Sequence, residues 1–430
     1  MPSPFSIPNF RAFWAARFAA TVGGMMLVIV IGWQVYAISR ETMPPREAAF
    51  MLGMIGLAQF LPLFMLTLVV GYVADRIDRR YIARAALALQ FSGAAFLGIL
   101  GLYNATTLPA LFIVAVLIGI GRAFSGPSLS ALAPNLVPRA MLPTAIAWSS
   151  IGMQTGAVVG PPLGAFLFAA NSAAPYLTAA VLFASSLFAL FQITAVPLPP
   201  RSDASPWRAT VEGLSYVRRN RIVLGAISLD LFAVLLGGAT AMLPVFARDV
   251  LHVGVEGLGP LRAAPAVGAA AVALWLTRRP LSRNVGIVMF VCVGVFGLTT
   301  IGFGLSRNLI VSLGCLGILG AADMMSVYVR SSLIQLHTPD SMRGRVSAVS
   351  MLFISASNEL GEFESGLTAA WLGPVEAVVL GGIGAVLVAL IWAFLFPELR
   401  RADRFVAPED SPPAAKSAIS EEINEAGVTR

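Results

Sequence analysis

Apolar runs of membrane-crossing length, separated by short polar connections, recur from one end of this chain almost to the other. The first follows a short polar lead, Met1 to Asn9, and ends near Ile38. Others lie near residues 47–72, 81–102, 108–130, 143–169, 174–196, 221–247, 258–277, 284–305, 309–334, 346–371 and 375–396. Each is long enough for a hydrocarbon layer of roughly 30 Å, which takes about 20 helical residues. A continuous apolar run of that length can satisfy its own amides in lipid only as a helix. Twelve transmembrane helices are therefore expected. Pro62, Pro127, Pro161, Pro244 and Pro265 fall inside them and predict kinks where neighbours satisfy the freed carbonyls. The first run is too long for a cleaved signal peptide and lacks its small-residue exit. Composition agrees with a membrane protein: 57% hydrophobic residues, 12% charged and mean hydropathy +0.81 exceed what a soluble domain could bury.

Arginine gives the orientation. Arg76, Arg79, Arg80, Arg84, Arg139, Arg201, Arg218, Arg219, Arg278, Arg279, Arg343 and Arg345 fall in connections on one side, against Arg40, Arg46, Arg248 and Arg307 on the other. Positive charge is retained on the cytoplasmic side, so both termini are expected there, and the +7 net charge reads as membrane topology, with no nucleic-acid partner. Trp14, Trp148, Trp275 and Trp392 near one set of helix ends, with Trp33 and Trp371 near the other, suggest interfacial belts. Cys292 and Cys315 lie in apolar runs without metal-ligand spacing and read as packing residues. Lys416 is the lone lysine among 29 basic residues, a bias typical of GC-rich bacterial coding.

A Pro/Ser-rich break from Val196 to Pro206 divides the chain. An amphipathic stretch, Trp207 to Asn220, follows it and suits a surface helix on the inner leaflet. The organisation expected is an N-terminal six-helix half over 1–196, a cytoplasmic linker over 197–220, a C-terminal half over 221–399 and a disordered polar tail over 400–430.

Between the second and third runs stands the charged patch Gly71-Tyr72-Val73-Ala74-Asp75-Arg76-Ile77-Asp78-Arg79-Arg80. It resembles the signature loop of the major facilitator superfamily, in which glycine is followed by Asp-Arg/Lys and further basic residues. Gly71, Asp75, Arg76 and Arg80 match. Asp78 stands where that pattern has glycine, and Tyr81 where it has a second basic residue. The corresponding loop of the second half, Trp275 to Arg283, lacks the glycine and aspartate. The resemblance implies an all-α membrane protein of two pseudo-symmetric six-helix halves. It also implies a gating role for these four residues, with Asp75 contacting the start of the eleventh helix or a nearby arginine. The linker sequence Glu212-Gly213-Leu214-Ser215-Tyr216-Val217-Arg218-Arg219-Asn220 resembles that of the enterobactin-exporter-like and macrolide-efflux-like branch.

The halves repeat each other. A shift of 201 residues brings Gly119 onto Gly320, Pro138 onto Pro339, Met141 onto Met342, Gly160 onto Gly361 and Arg122 onto Asp323. A shift of 203 brings Gln59 onto Arg262 and Pro62 onto Pro265, and one of 213 brings Arg17 onto Asp230. A charge at mid-bilayer costs on the order of 2.5–3.5 kcal/mol, so it faces either an aqueous cavity or a partner. In the superfamily fold, helices 1, 4, 7 and 10 line the central cavity, and Arg17, Arg122, Asp230 and Asp323 fall one on each. Expected cavity residues are thus Arg17, Gln59, Arg122, Asp230, Arg262 and Asp323, with an Arg122–Asp323 pair across the cavity; pairs that merely lock the halves are the alternative.

Two further motifs bear on transport. Arg122 with Gly126 resembles the superfamily's proton-coupling motif on helix 4. On helix 5, Gly152, Gly156, Gly160 and Gly164 recur every four residues, and Gly160-Pro161 with Gly164 resembles the antiporter motif. Such a stripe admits close helix contact, expected here against the other half. Helix 11 carries Glu359, Glu362 and Glu364 in an apolar setting. Glu359 and Glu362 share a face, as groups that bind and release protons would, while Glu364 points elsewhere.

No phosphate-binding loop or nucleophile–base arrangement is present, and His252 and His337 are isolated near helix ends, so no enzyme, cofactor or metal site is expected. The expected function is proton-coupled export of a siderophore or drug-like organic molecule by a monomer in a bacterial inner membrane. Its partners would be a small-molecule substrate, protons and lipid, and its proton-coupling groups Asp323, Asp230, Glu359, Glu362 and Arg122. Alternatives are an uptake symporter of the same fold and a non-transporting sensor or scaffold.

Overall fold

The computed structural model describes residues 3–74, 77–132, 135–138, 141–194, 206–279, 281, 283–403 and 405. Asp75, Arg76, Arg139, Arg201, most of the interhalf break and the tail beyond 405 lie outside the described residues, and with them the expected contact of Asp75.

Six long helices form the first half: α1 (Pro8–Thr42), α2 (Pro45–Ala74), α3 (Arg79–Leu102), α4 (Leu108–Leu132), α5 (Leu142–Ala170) and α6 (Ala174–Phe191). The linker contains α7 (Pro206–Arg219). The second half begins with a broken span: α8 (Arg221–Leu236), a 3-10 turn (Ala239–Met242), the short α9 (Leu243–Val245) and a π turn (Phe246–Val250). Gly237, Gly238 and Pro244 mark the break. It is followed by α10 (Gly254–Arg278), α11 (Val285–Leu305), α12 (Leu309–Leu336), α13 (Asp340–Leu372) and α14 (Pro374–Leu395), then the short α15 (Pro397–Arg400).

Among the described residues, eleven helices are long and apolar enough to cross a membrane, the broken span counted as one. The twelfth, α13, falls short of that measure while its 33 residues carry Glu359, Glu362 and Glu364 through the same bundle, packed on α2, α8 and α14. Its polarity belongs to the site it lines.

Local signals set the helix ends. Asp78, at the position where the signature pattern has glycine, accepts a hydrogen bond from the Arg80 backbone N–H at 2.9 Å and holds its guanidinium at 2.7 Å, capping α3. The Arg80 side chain holds the Asp78 carboxyl below the usual carboxylate range. Arg80 also donates to the Ile193 carbonyl at 3.2 Å, so it fastens α3 to the end of α6 inside its own half. Asn220 caps α8 and Asn308 caps α12 by accepting two backbone N–H bonds each. Gly373 ends α13 at φ +116°, a conformation side chains with a Cβ rarely adopt.

The expected repeat appears as matched packing. The pairs α1/α5, α1/α6, α2/α4, α3/α4 and α3/α6 have counterparts in α8/α13, α8/α14, α10/α12, α11/α12 and α11/α14. Gly119 and Gly320, related by the shift of 201, make the same kind of contact. A Cβ on Gly119 would run into the Gln59 carbonyl oxygen of α2, and one on Gly320 into that of Pro265 in α10.

The halves meet mainly through α2 with α13 and α5 with α10. At the arginine-poor end these contacts are tight. A Cβ on Gly53 would lie 2.9 Å from the Gly366 Cα, and Gly259 of α10 sits over Pro162 and Ala165 of α5. Asp249 accepts from the Tyr36 hydroxyl at 2.5 Å and from Arg40 Nε at 2.8 Å, while Arg248 donates to the Ala37 carbonyl and Arg46 to that of Leu372. Toward the arginine-rich end, Met65, Ile151, Leu274 and Met351 on the same four helices are exposed. Trp371 is exposed as an interfacial residue would be, whereas Trp33 is buried within the first half and takes no part in a belt.

Candidate functional site

The backbone contact at Gly119 and Gln59, and its counterpart at Gly320 and Pro265, set α4 and α12 beside their partners just where the two halves face each other. Between the halves lies a cavity of about 480 Å³, within the usual range for a small-molecule site. Met25 and Val28 of α1, Val234 of α8, Phe296 of α11 and Leu319 of α12 make its apolar wall. Gln59, Arg122, Arg262, Asp323, Glu359 and Glu362 project into it, together with Thr240 and Asn358. Of the cavity residues expected from sequence, the structure brings together Gln59, Arg122, Arg262 and Asp323, and adds both carboxylates of the shared α13 face.

The charges meet across the halves in a pattern that the repeat did not predict. Arg122 Nη2 lies 3.3 Å from Glu359 Oε1, so its partner is on α13, and the expected Arg122–Asp323 pair is absent. The cause is the α2/α13 crossing: with glycine on both helices at Gly53 and Gly366, α13 comes close enough for its Glu359 face to reach α4. Glu362 sits against Gly56 of α2, where a Cβ would lie 3.0 Å from its Oε2. Arg262 Nη1 donates to the Thr240 carbonyl at 3.3 Å, an oxygen that also accepts the Leu243 backbone N–H, and so ties α10 to the broken span. Glu364 accepts from Thr368 Oγ1 at 2.7 Å and lines no part of the cavity, as the helical spacing predicts.

Two expected cavity residues lie elsewhere. Arg17 is eight positions before Met25 on α1, about 12 Å toward the arginine-rich end. Its guanidinium donates to Ser130 Oγ at 3.3 Å and reaches Met153 Sδ at 3.5 Å, and lies over Phe13. Asp230 turns away from the cavity into the second half and pairs with Arg330 of α12, both of them buried. Sequence reasoning passed over Arg330. The available signal was an arginine deep in the apolar run 309–334, whose cost in lipid demands a partner.

The glycine stripe of α5 also has a different partner from the one expected. A Cβ on Gly152 would meet Trp14, on Gly156 Thr21, on Gly160 the Val22 carbonyl at 2.7 Å, and on Gly164 Met26. All four belong to α1, so the stripe joins helices of one half; α5 turns another face, at Pro162 and Ala165, to α10. The linker helix α7 is likewise held by protein. Gly213 packs on the Arg345 backbone, Glu212 meets Arg345 at 2.8 Å and the Tyr216 hydroxyl donates to the His337 carbonyl, fastening α7 to the ends of α12 and α13.

Comparison with known proteins agrees with this architecture. A family described as transmembrane secretion effectors, of the major facilitator type, matches residues 2–425. The enterobactin exporter of Citrobacter koseri is 26% identical over 404 residues, covering 92% of this chain and 93% of its own. That of Shigella boydii serotype 18 is 25% identical over the same coverage. Among solved structures, a bacterial homologue of the iron transporter ferroportin, in an inward-facing state, superposes with TM-score 0.67 at 18% identity over 91% of this chain and 98% of its own. A POT family transporter in complex with 5-aminolevulinic acid does so with TM-score 0.71 at 15% identity, over 91% and 97%. These relatives are transporters, not enzymes, and the solved ones share the fold described above. With a match spanning nearly all its length, the chain belongs to the transmembrane secretion effector family of the major facilitator superfamily.

Proposed function

We propose that this transporter exports an amphipathic organic molecule, of the siderophore or drug-like kind, by proton-coupled alternating access. The observation that carries the reading is the content of the interhalf cavity. Carboxylates from the second half, Asp323, Glu359 and Glu362, face arginines from both halves, Arg122 and Arg262, beside an apolar wall. Each carboxylate has competing claimants: a proton, an arginine, or a charged group on the substrate. Such competition is what couples two fluxes through one site. The sealed arginine-poor end and the exposed interface helices at the other end support a state open to the arginine-rich side. With that side cytoplasmic and both termini there, in a bacterial inner membrane, this is the state in which an exporter loads. The curated relatives named as enterobactin exporters support the direction of transport.

The test uses everted membrane vesicles with an imposed acid interior, offered enterobactin and, separately, a lipophilic organic cation. Accumulation of either that collapses with a protonophore is expected, and Asp323→Asn should abolish uphill movement while sparing downhill exchange. Accumulation indifferent to the protonophore, or full accumulation in each of Asp323→Asn, Glu359→Gln and Glu362→Gln, refutes proton coupling at this site. Uptake of the probe into right-side-out vesicles, driven by an acid exterior, would establish symport instead.

A further inference from the structure

Adjoining the cavity, and sharing Val234, Phe296 and Asp323 with its wall, α8, α11 and α12 line a second, smaller chamber of about 20 Å³. It is lined by Asp230, Ala233, Cys292, Phe296, Asp323 and Ser326 among others. A buried water needs roughly 10–15 Å³ and two to four polar partners. This chamber has room for one such molecule, and Asp230, Asp323 and Ser326 supply three partners. Among the described residues, Asp323 is the one ionisable group that lines both this chamber and the substrate cavity. On the far side Asp230 is paired with Arg330, seven positions after Asp323 and therefore on the same face of α12, two turns along. Asp230 is 7% exposed and Arg330 6%, so the pair is largely shielded from bulk water.

We propose that this adjoining chamber is a proton site reaching beyond the substrate cavity, in which a single water bridges Asp323 to Asp230 and Arg330 is the positioning residue that keeps Asp230 an ionised acceptor. The inference rests on the proton-coupled reading given above and extends it to residues outside the cavity. In the transfer, the O–H bond of a protonated Asp323 breaks as one forms to the water oxygen, and the water passes another of its protons to the Asp230 carboxylate. Asp323 is left ionised in the cavity, Asp230 neutral, and the water unchanged. Neutral Asp230 no longer holds Arg330, which releases an ion pair spanning α8 and α12. One proton thereby alters both the charge facing the substrate and the contact between two cavity helices. The charges facing Asp323 are Arg122 of α4, Arg262 of α10, and Glu359 and Glu362 of α13 on the cavity side. On the chamber side they are Asp230 of α8 and Arg330 of its own helix, while α11 presents only the Cys292 thiol.

Infrared difference spectra between acid and neutral pH, recorded on the full chain in lipid without substrate, test this directly. The wild type should show a carboxyl C=O band that is lost in Asp323→Asn. It should also show a water O–H band that shifts in water enriched in the heavy oxygen isotope. Ala233→Val, which fills the chamber without changing charge, should remove the water band and keep the carboxyl band. Arg330→Gln should add a second carboxyl band, which disappears in Asp230→Asn/Arg330→Gln; the displacement of the Asp323 and water bands in that neutral pair is what a purely structural arginine would not produce. Should Arg330→Gln fail to insert, the neutral pair Asp230→Asn/Arg330→Gln should still displace the Asp323 band and the water band. A water band that survives Ala233→Val overturns the proposal, as does its absence in the wild type. So does an Asp323 band unmoved in the neutral pair. In those cases an Asp323 carboxyl band leaves proton coupling at the cavity standing, whereas absence of any band dependent on Asp323, Glu359 or Glu362 overturns both readings.

Discussion

Replacing Gly53 by alanine sets a methyl group against the backbone of the opposite half. The new Cβ would lie 2.9 Å from the Gly366 Cα and 3.2 Å from the Phe363 carbonyl oxygen, neither of which belongs to a side chain that can swing aside. Ordinary contact begins near 3.4 Å, so α2 and α13 must part by about half an ångström at their crossing. Overpacking of this kind costs about 1–3 kcal/mol. The crossing joins the two halves and lies outside either half's own packing, so the cost falls on the state sealed at the arginine-poor end. It should shift the balance away from that state by roughly 5- to 150-fold. Spin labels on Tyr103→Cys and Ile310→Cys report the shift, with Cys292 and Cys315 replaced. Both label sites are highly exposed, at the arginine-poor end of opposite halves. Pulsed dipolar spectroscopy should find a dominant short separation in the parent and a new, longer population in Gly53→Ala. Indistinguishable distance distributions would show that the crossing does not hold this end shut.

Asp249→Asn should act in the same direction, because it weakens the charge-assisted bond to Arg40 that ties α1 to the π turn. The pair is about a quarter exposed, so an effect of about 1–2 kcal/mol that shrinks with salt is expected in the same measurement; a salt-independent effect would exclude this cause. Gly160→Leu should act differently. Its Cβ would lie 2.7 Å from the Val22 carbonyl oxygen inside the first half, so thermal unfolding in detergent should show lowered stability, and normal stability would refute the α1/α5 packing.

Much of the site was legible because charge in an apolar run is expensive. Arg122, Asp323, Glu359 and Glu362 stand out from their surroundings, the internal repeat adds Arg262 opposite Gln59 and sets Arg122 against Asp323, and the resemblance to the superfamily fold puts those two on cavity-lining helices. Helical periodicity also separated the shared face of Glu359 and Glu362 from Glu364, since the 100° turn per residue is a local property. The same local rules account for the caps at Asp78, Asn220 and Asn308.

Pairing was decided by the tertiary structure. Whether Arg122 meets Asp323 or Glu359 depends on how closely α13 approaches α4. That approach is set by the glycine-on-glycine crossing at Gly53 and Gly366, which lie 313 positions apart in sequence. Whether the α5 stripe faces α1 or the second half depends on the rotation of α5 about its own axis, which small residues leave open: they permit close contact with any neighbour and specify none. Asp230 and Arg17 show the same division. Their cost in lipid required that each find polar company, and only the packing of α8 on α12, and of α1 on α4 and α5, determined that neither would find it in the cavity.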